Sequence, residues 1–360
     1  MKMRWLMSVL GCLIFWACKD DTPSEMEPET NISKISVGTA GQIQDSDGSL
    51  FFPWGLNYTN PDGVGLIEDN WYDQNIWNTI KSDFLEMKAL SANVVRIHLQ
   101  YHRFMIDATT PDVQALDRLE DLVAYAEEQN MYLDVTGLAA YRASDQPAYY
   151  KEMTDQERWD TQKLFWKNIA ARIGDSPAVF AFNLMNEPVV SVGCAEGTEC
   201  GWLPGAGLGG FNFVQNISRD PDKEFVPTIK EWILEMTTAI RSEDNATLIT
   251  VGFLNLGDIS QFANDLDYIS VHVYPESGMV DASIEYVKNN QSDVALVIEE
   301  TSNFKCNISE LETFVNGLEN NYDGLMGHYF GKTINELDET IIVDALHKNF
   351  LEFFVDRNPN

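Results

Sequence analysis

The sequence predicts an α/β protein, a single-domain (β/α)8 or TIM barrel with a long loop insertion after the fourth strand. Three observations favour this fold class. Short apolar runs alternate with longer amphipathic stretches along most of the chain. The apolar runs are nearly continuous, which is typical of parallel strands buried on both faces. The length of 360 residues suits one barrel with insertions, and 44% hydrophobic residues can fill a large core.

Apolar runs, amphipathic stretches and turn signals place the elements in chain order. An Asp47-Gly48 dipeptide predicts a hairpin turn just before the barrel. The predicted strands cover residues 51–58, 92–99, 131–138, 178–187, 247–253, 266–274, 294–300 and 324–330. The predicted helices cover residues 75–90, 112–129, 155–174, 225–242, 282–290, 308–320 and 341–355. Together these elements indicate eight βα units of a closed parallel barrel.

The N-terminal segment has the features of an export signal. Lys2 and Arg4 precede an apolar stretch that ends at Ala17, and Cys18 follows where a cleavage site would fall. This arrangement resembles a bacterial lipoprotein box, which implies that Cys18 is lipidated; a plain signal peptide is the alternative. We expect an exported lipoprotein of the outer membrane, and the acidic residues after Cys18 resemble a tag for exposure on the cell surface. The predicted domain boundaries are 1–17 for the signal peptide, 18–35 for the lipidated cysteine and a flexible linker, and 36–360 for the barrel.

Charge and cysteine content limit the partners. The chain has 24 Lys+Arg against 56 Asp+Glu, a formal net charge of −32, which disfavours nucleic acid and anionic membrane surfaces. A carbohydrate substrate remains compatible, with membrane contact only through the lipid anchor, and we expect a monomer. In an oxidising compartment Cys194 and Cys200 could form a disulfide, leaving Cys306 buried and free.

Two predicted strands run directly into carboxylates. The run "AFNLMNEPVV" ends strand four at Asn186-Glu187, and "ALVIEETSN" ends strand seven at Glu299-Glu300. Because the carboxyl ends of barrel strands form the active face, these side chains are catalytic candidates by position. Two carboxylates brought together there suggest glycoside hydrolysis by an acid/base and a nucleophile.

Four motifs then indicate a family. "LMNEP", "NVVRIHL", "ISVHVYP" and "LVIEET", each at a predicted strand end, together resemble clan A glycoside hydrolases, most closely family 5. The resemblance covers about residues 36 to 356 and implies a retaining mechanism without cofactor or metal. It implies that Glu187 is the general acid/base and that Asn186 binds the sugar 2-hydroxyl. Arg96 would lie beside the nucleophile, and His272 and Tyr274 match the sixth-strand pair, with the tyrosine hydroxyl reaching the nucleophile.

The choice of nucleophile follows the family pattern of apolar run, variable residue, Glu, aromatic residue and Gly. That pattern places Glu299 in the variable position and Glu300 in the nucleophile position, although Thr301 and Ser302 depart from the aromatic-Gly pair. Successive side chains of a strand point to opposite faces, so we expect only one of the two glutamates to enter the site.

Further residues are expected at the substrate. The third strand lacks the histidine of many family members, and Phe330 lies near the position where a sugar-stacking tryptophan is usual. Trp202 lies in the insertion 191–223, which is either a lid or cleft wall or a mobile surface loop. His98 is expected to line or support the pocket and not to bind a metal, because the His-x-His pattern of metal-dependent barrel hydrolases is missing. Weaker candidates for sugar stacking are Trp54, Tyr58 and Tyr141.

The sequence therefore predicts a retaining O-glycosyl hydrolase that cleaves a β-linked mannan or glucan, with endo action as the family's habit. Three alternatives stay open. The first is an exo-acting β-glycosidase or a transglycosylase, the second a non-catalytic surface glycan-binding lipoprotein, and the third a metal-dependent barrel hydrolase.

Overall fold

Eight parallel strands close into a barrel in the computed structural model, which describes residues 32–59, 66–190 and 215–357. The barrel strands are β1 Trp54–Tyr58, β2 Val94–Gln100, β3 Tyr132–Ala139, β4 Val179–Asn186, β5 Leu248–Leu254, β6 Ile269–His272, β7 Leu296–Thr301 and β8 Gly324–Phe330. Each strand pairs with its neighbours in chain order, and β8 pairs with β1 to close the ring. The predicted TIM barrel is confirmed.

Helices cover the outside of the barrel. They are α1 Gln74–Ala89, α2 Val113–Glu128, α3 Asp155–Ile173, α4 Phe225–Arg241, α5 Val280–Asn289, α6 Ile308–Leu318 and α7 Ile342–Asp356. Asp73 caps α1 by accepting hydrogen bonds from the N–H groups of Asn75 and Ile76, and Thr154 and Glu157 form a capping box on α3. Within the described residues, none of the helices is long and apolar enough to cross a membrane.

One βα unit differs from the expectation of eight complete units. Between β5 and β6 the chain forms only a 3-10 turn, Ser260–Phe262, in place of an α-helix. Phe262 is buried there and its ring stacks on Phe253 of β5 at a centroid distance of 4.7 Å. A single aromatic side chain thus fills part of the space over β5 that a helix covers elsewhere.

A small antiparallel pair, Ser36–Val37 with Ile43–Gln44, precedes the barrel. The predicted Asp-Gly turn is confirmed, because Gly48 has φ +86 and its N–H donates to the carbonyl of Asp45 at 3.1 Å. Ile35 and Ile43 belong to the same buried cluster as residues of the barrel strands. The pair therefore helps to cover one end of the barrel.

Three aromatic residues considered as sugar-stacking candidates belong to the core instead. Trp54 is fully buried and stacks on Phe354 of α7 at 4.6 Å. The hydroxyl of Tyr58 donates to Asp83 Oδ2 at 2.7 Å. Phe330 is fully buried and stacks on Tyr58 at 6.4 Å, so its prediction as a substrate-binding residue is wrong. The physical reason is an irregularity in β8 between residues 328 and 330, which changes the side-chain alternation there.

The chain after β4 forms a short strand, Pro188–Val190, which pairs with Gln215–Ser218. Between them, Cys194, Cys200 and Trp202 lie outside the described residues, as does Cys18. Their predicted disulfide, substrate contact and lipidation stay predictions. Cys306 is buried and free, as expected.

Candidate active site

The predicted site residues meet at the carboxyl ends of β2, β4, β6 and β7. They are Arg96 and His98, Asn186 and Glu187, His272 and Tyr274, and Glu300. All of them except Tyr274 are more than nine-tenths buried. The parallel strands end at one rim, so residues up to 204 positions apart come into hydrogen-bond contact.

Glu187 follows β4 in a left-handed backbone conformation with φ +49. Its N–H donates to the carbonyl of Gly252 at 2.7 Å, which fixes this turn, and its Oε1 lies 2.8 Å from His272 Nδ1. A non-glycine residue at positive φ is energetically unfavourable and is seen often at functional sites. Burial raises the pKa of the Glu187 carboxyl, and the charge of Glu300 adds to this effect, against the opposing influence of His272 and Arg96.

Glu300 is held in the ionised form. Burial works against the charge, but His272, His328 and the Arg96 guanidinium outweigh burial and keep the pKa of this carboxyl well below its usual range. Arg96 Nη1 donates to Glu300 Oε1 at 2.6 Å, and the Tyr274 hydroxyl donates to Oε2 at 2.5 Å. The two glutamates of the site therefore have pKa values shifted in opposite directions, as an acid and a nucleophile require.

The separation of the two carboxyl groups fits the same division of roles. One oxygen each of Glu187 and Glu300 and one nitrogen of His272 all lie within 4.8 Å of one another. Retaining glycosidases hold their carboxyl groups about 5 to 5.5 Å apart, whereas inverting enzymes leave about 6.5 to 9.5 Å for a water. These three groups are also close enough to surround a cation, but Arg96 already supplies a positive charge to Glu300. Independence from metal stays a prediction.

Arg96 organises the rest of the pocket. Its guanidinium donates to Asn57 Oδ1 at 2.7 Å and to Asn186 Oδ1 at 3.0 Å. Burial opposes its charge, but Glu299 and Glu300 prevail and raise the pKa of Arg96, so the cation is permanent. The Asn57 amide in turn donates to the backbone carbonyl of Glu299 at 2.8 Å, which ties β1 to β7 below the rim.

His98 contacts Tyr141 and Asn57 at the pocket. Its Nδ1 lies 2.6 Å from the Tyr141 hydroxyl and its Nε2 lies 3.2 Å from Asn57 Oδ1. Burial and the neighbouring charge of Arg96 lower the pKa of His98, so the ring is neutral. Tyr141, a weaker sugar-stacking candidate, is buried at the site as the partner of His98.

The expected alternation of Glu299 and Glu300 to opposite faces of β7 is wrong, although only Glu300 reaches the rim of the site. Ile298 pairs with Val271 but Glu300 pairs with His272, so β7 bulges at Glu299. Both carboxyl groups consequently turn toward Arg96: Glu300 Oε1 is 2.6 Å from Nη1 and Glu299 Oε2 is 3.6 Å from Nε. Glu299 is completely buried, whereas Glu300 is bonded to Tyr274 at the rim, which favours Glu300 as the predicted nucleophile.

His328 is a site residue that the sequence analysis missed. Its Nδ1 lies 3.7 Å from Glu300 Oε2, and its ring meets Tyr274 edge to face at 5.9 Å. It occupies the cleft side of β8, where Phe330 was expected. The sequence "GLMGHYF" shows a histidine at the end of the predicted eighth strand. It does not show the strand irregularity that turns this histidine, and not Phe330, toward the cleft.

The comparisons with known proteins agree with the geometry. The family model "Cellulase (glycosyl hydrolase family 5)" matches residues 55–323. No curated protein matches the sequence. Among solved structures, an exo-β-1,4-mannosidase of an Opitutaceae bacterium is 15% identical with TM-score 0.66, and the match covers 89% of this chain and 61% of that one. The chain thus spans about three fifths of the length of that mannosidase.

Two further structures are matched over nearly their whole length. A β-glucanase of Saccharophagus degradans is 15% identical with TM-score 0.60, covering 93% of this chain and 98% of that one. A β-mannanase of the blue mussel Mytilus edulis is 13% identical with TM-score 0.59, covering 91% and 98%. At these identities the structures support the fold, and the family model covers well over half of the sequence. The chain therefore belongs to glycosyl hydrolase family 5.

Proposed function

We propose that this protein is a retaining β-glycosidase that cleaves a β-linked mannan or glucan, with Glu187 as acid/base and Glu300 as nucleophile. The observation that carries the proposal is that Glu300, bonded to Arg96 and Tyr274 and with its pKa held low, has an oxygen within 4.8 Å of one of Glu187, whose pKa burial raises. Such a pair can act on both sides of a glycosidic bond.

In the first step the Glu300 carboxylate attacks the anomeric carbon while Glu187 donates its proton to the departing oxygen. A covalent glycosyl ester forms and the leaving alcohol is released. Glycosylation removes the negative charge of Glu300, which had helped to raise the pKa of Glu187. The pKa of Glu187 then falls, so in the second step it can take a proton from the water that hydrolyses the ester.

A neutral polysaccharide is the substrate class that fits best. The net charge of −32 disfavours polyanions, and the matched structures include mannan- and glucan-degrading enzymes. We propose endo action. Exo action is the second candidate, because the exo-mannosidase has a higher TM-score, 0.66, than the glucanase at 0.60.

The proposal is tested with residues 19–360 on β-mannans, β-glucans and xylans, following the products over time and the anomeric configuration by NMR. We expect oligosaccharides first, with retained configuration and with full activity in the presence of a chelator. Monosaccharide as the first product would select exo action, and inverted configuration would contradict the mechanism.

Three variants accompany the screen. Glu187→Gln and Glu300→Gln should each abolish release, whereas Glu352→Gln, on an exposed glutamate of α7, should leave it unchanged. Glycan binding by the wild type with no release would instead support a surface glycan-binding protein.

We also propose that the mature protein is a lipoprotein anchored through Cys18 in the outer membrane. The lipoprotein-like sequence around this cysteine is the support. Metabolic labelling with palmitate should mark the wild type and not Cys18→Ser. An unlabelled, secreted wild type would indicate an ordinary signal peptide.

A further inference from the structure

A layer of polar side chains lies directly beneath the proposed catalytic pair. Glu299 is its centre and is completely buried. Its Oε2 accepts a hydrogen bond from Asn183 Nδ2 at 2.7 Å, and its Oε1 lies 3.3 Å from the hydroxyl of Tyr268. A buried carboxylate is costly unless positive charge and hydrogen bonds compensate it, so the groups around Glu299 indicate its state.

His272 links this layer to the acid. Its Nδ1 lies 2.8 Å from Glu187 Oε1 and 3.5 Å from Glu300 Oε2. Its Nε2 is buried with no hydrogen-bond partner within the described residues, and Glu299 Oε2 lies 3.9 Å away. Both ring nitrogens thus face carboxyl groups, which suits a ring that carries a proton on each nitrogen.

The charges of the layer balance if His272 is a cation. Glu299 and Glu300 are two anions, and Arg96 neutralises one of them. The neighbouring acid Asp134 does not add a third anion, because burial and the charge of Glu299 raise its pKa well above the usual range. Burial likewise lowers the pKa values of His98 and His328, which disfavours a positive charge on either ring.

We propose that Glu299 is a positioning residue: its buried carboxylate holds His272 as an imidazolium, whose Nδ1–H donates to Glu187 Oε1. The acidic proton of Glu187 is then confined to the other carboxyl oxygen, where it can be given to the leaving group. Glu299 acts through His272 and does not touch the substrate. The role in catalysis rests on the glycosidase function proposed above, whereas the charge state of His272 does not depend on it.

The groups that face His272 come from four elements. They are Arg96 and His98 of β2, Glu187 after β4, Glu299 and Glu300 of β7, and His328 of β8. Arg96 repels an imidazolium, and the ionised pair Glu299 and Glu300 attracts it. Removal of the Glu299 charge therefore takes away one of the two anions that stabilise the imidazolium.

The direct test is 15N NMR of protein labelled at its five histidines, with His272 assigned from His272→Asn. At pH 6 we expect both nitrogens of His272 to be protonated in the wild type, and only one in Glu299→Gln. A neutral His272 in the wild type would overturn the proposal even if Glu299→Gln does not fold. A doubly protonated ring in both proteins would also overturn it.

Kinetics supply a second readout. In Glu299→Gln we expect kcat to fall about tenfold with KM within about twofold. The alkaline limb of kcat/KM should move to higher pH, because loss of the His272 charge raises the pKa of Glu187. Asp134→Asn exchanges a neutral acid for a neutral amide in the same layer and should leave that limb in place. A changed KM with an unchanged kcat would contradict a role through His272. Because the NMR test needs no substrate, it separates failure of this inference from failure of the proposed function.

Discussion

Gly252 of β5 offers a sharp test of how tightly the site is built. A Cβ at this position would lie 2.8 Å from Arg96 Nη2, 2.9 Å from His272 Nε2 and 3.2 Å from Glu299 Oε2. All three groups are buried and held by other contacts, so none can move freely. The φ of Gly252 is not left-handed, so the backbone itself accepts alanine. The effect of Gly252→Ala should therefore come from the added methyl group alone.

We expect Gly252→Ala to cost about 1 to 3 kcal/mol of unfolding free energy, the usual range for an overpacked core. A shift of Arg96 and His272 by several tenths of an ångström would misalign the catalytic pair. Misplacement by 1 Å can cost about a hundredfold, so we expect kcat/KM to fall by about ten- to a hundredfold. Denaturant unfolding gives the first quantity, and kcat/KM per folded molecule, on the polysaccharide found in the screen, gives the second.

Gly137→Ala is the matched control. Its Cβ would meet the ring of Trp166 at 2.3 Å, on the helix side of the barrel and away from the catalytic groups. It should lose a similar amount of stability and keep kcat/KM within about threefold. Equal activity losses in both variants, or wild-type activity in Gly252→Ala, would refute the view that the site requires a residue without a side chain at position 252.

Three other predictions follow from the charges and hydrogen bonds. Arg96→Met leaves two buried carboxylates without their cation, so the unfolding free energy should fall by about 3 to 5 kcal/mol. The acid limb of kcat/KM should also move to higher pH, and an unchanged limb would contradict the role of Arg96. Tyr274→Phe removes the donor to Glu300 Oε2, so kcat should fall about tenfold while circular dichroism shows an intact fold; wild-type kcat would rule out this contact as functional. Burial raises the pKa of Glu68 to about 8, although the backbone N–H of Gln100 donates to it. Between about pH 4.5 and 8 the folded protein retains a proton on Glu68 that the unfolded chain releases, so this group lowers stability as pH rises. The unfolding free energy of Glu68→Gln, relative to that of the wild type, should therefore increase by up to about 4 kcal/mol from pH 5 to pH 8.5. A constant difference in denaturant midpoint over that range would contradict this assignment.

The barrel could be predicted because its strands are continuous apolar runs, a local property of the sequence. Glu187 and Arg96 could be placed for the same reason, since each follows from a motif at a strand end. The bulge at Glu299 could not be predicted, because it depends on how β7 pairs with β6, whose pairing partners are about 27 residues away. That His328 faces the cleft in place of Phe330 could not be predicted either, because it depends on the register of β8 against β1. Short-range patterns thus located the site, and long-range strand register decided which side chains line it.

The central claim is that Glu300 forms a covalent bond to the sugar, assisted by Glu187. The most direct measurement is trapping with a 2-deoxy-2-fluoro-β-glycosyl fluoride of the sugar identified in the screen, followed by peptide mass spectrometry. Glu299 and Glu300 are consecutive in the chain, so the peptide must be fragmented between these two residues. We predict one sugar on Glu300 in the wild type and none in Glu300→Gln. A sugar on Glu299, or turnover with no covalent adduct on either glutamate, would contradict the account.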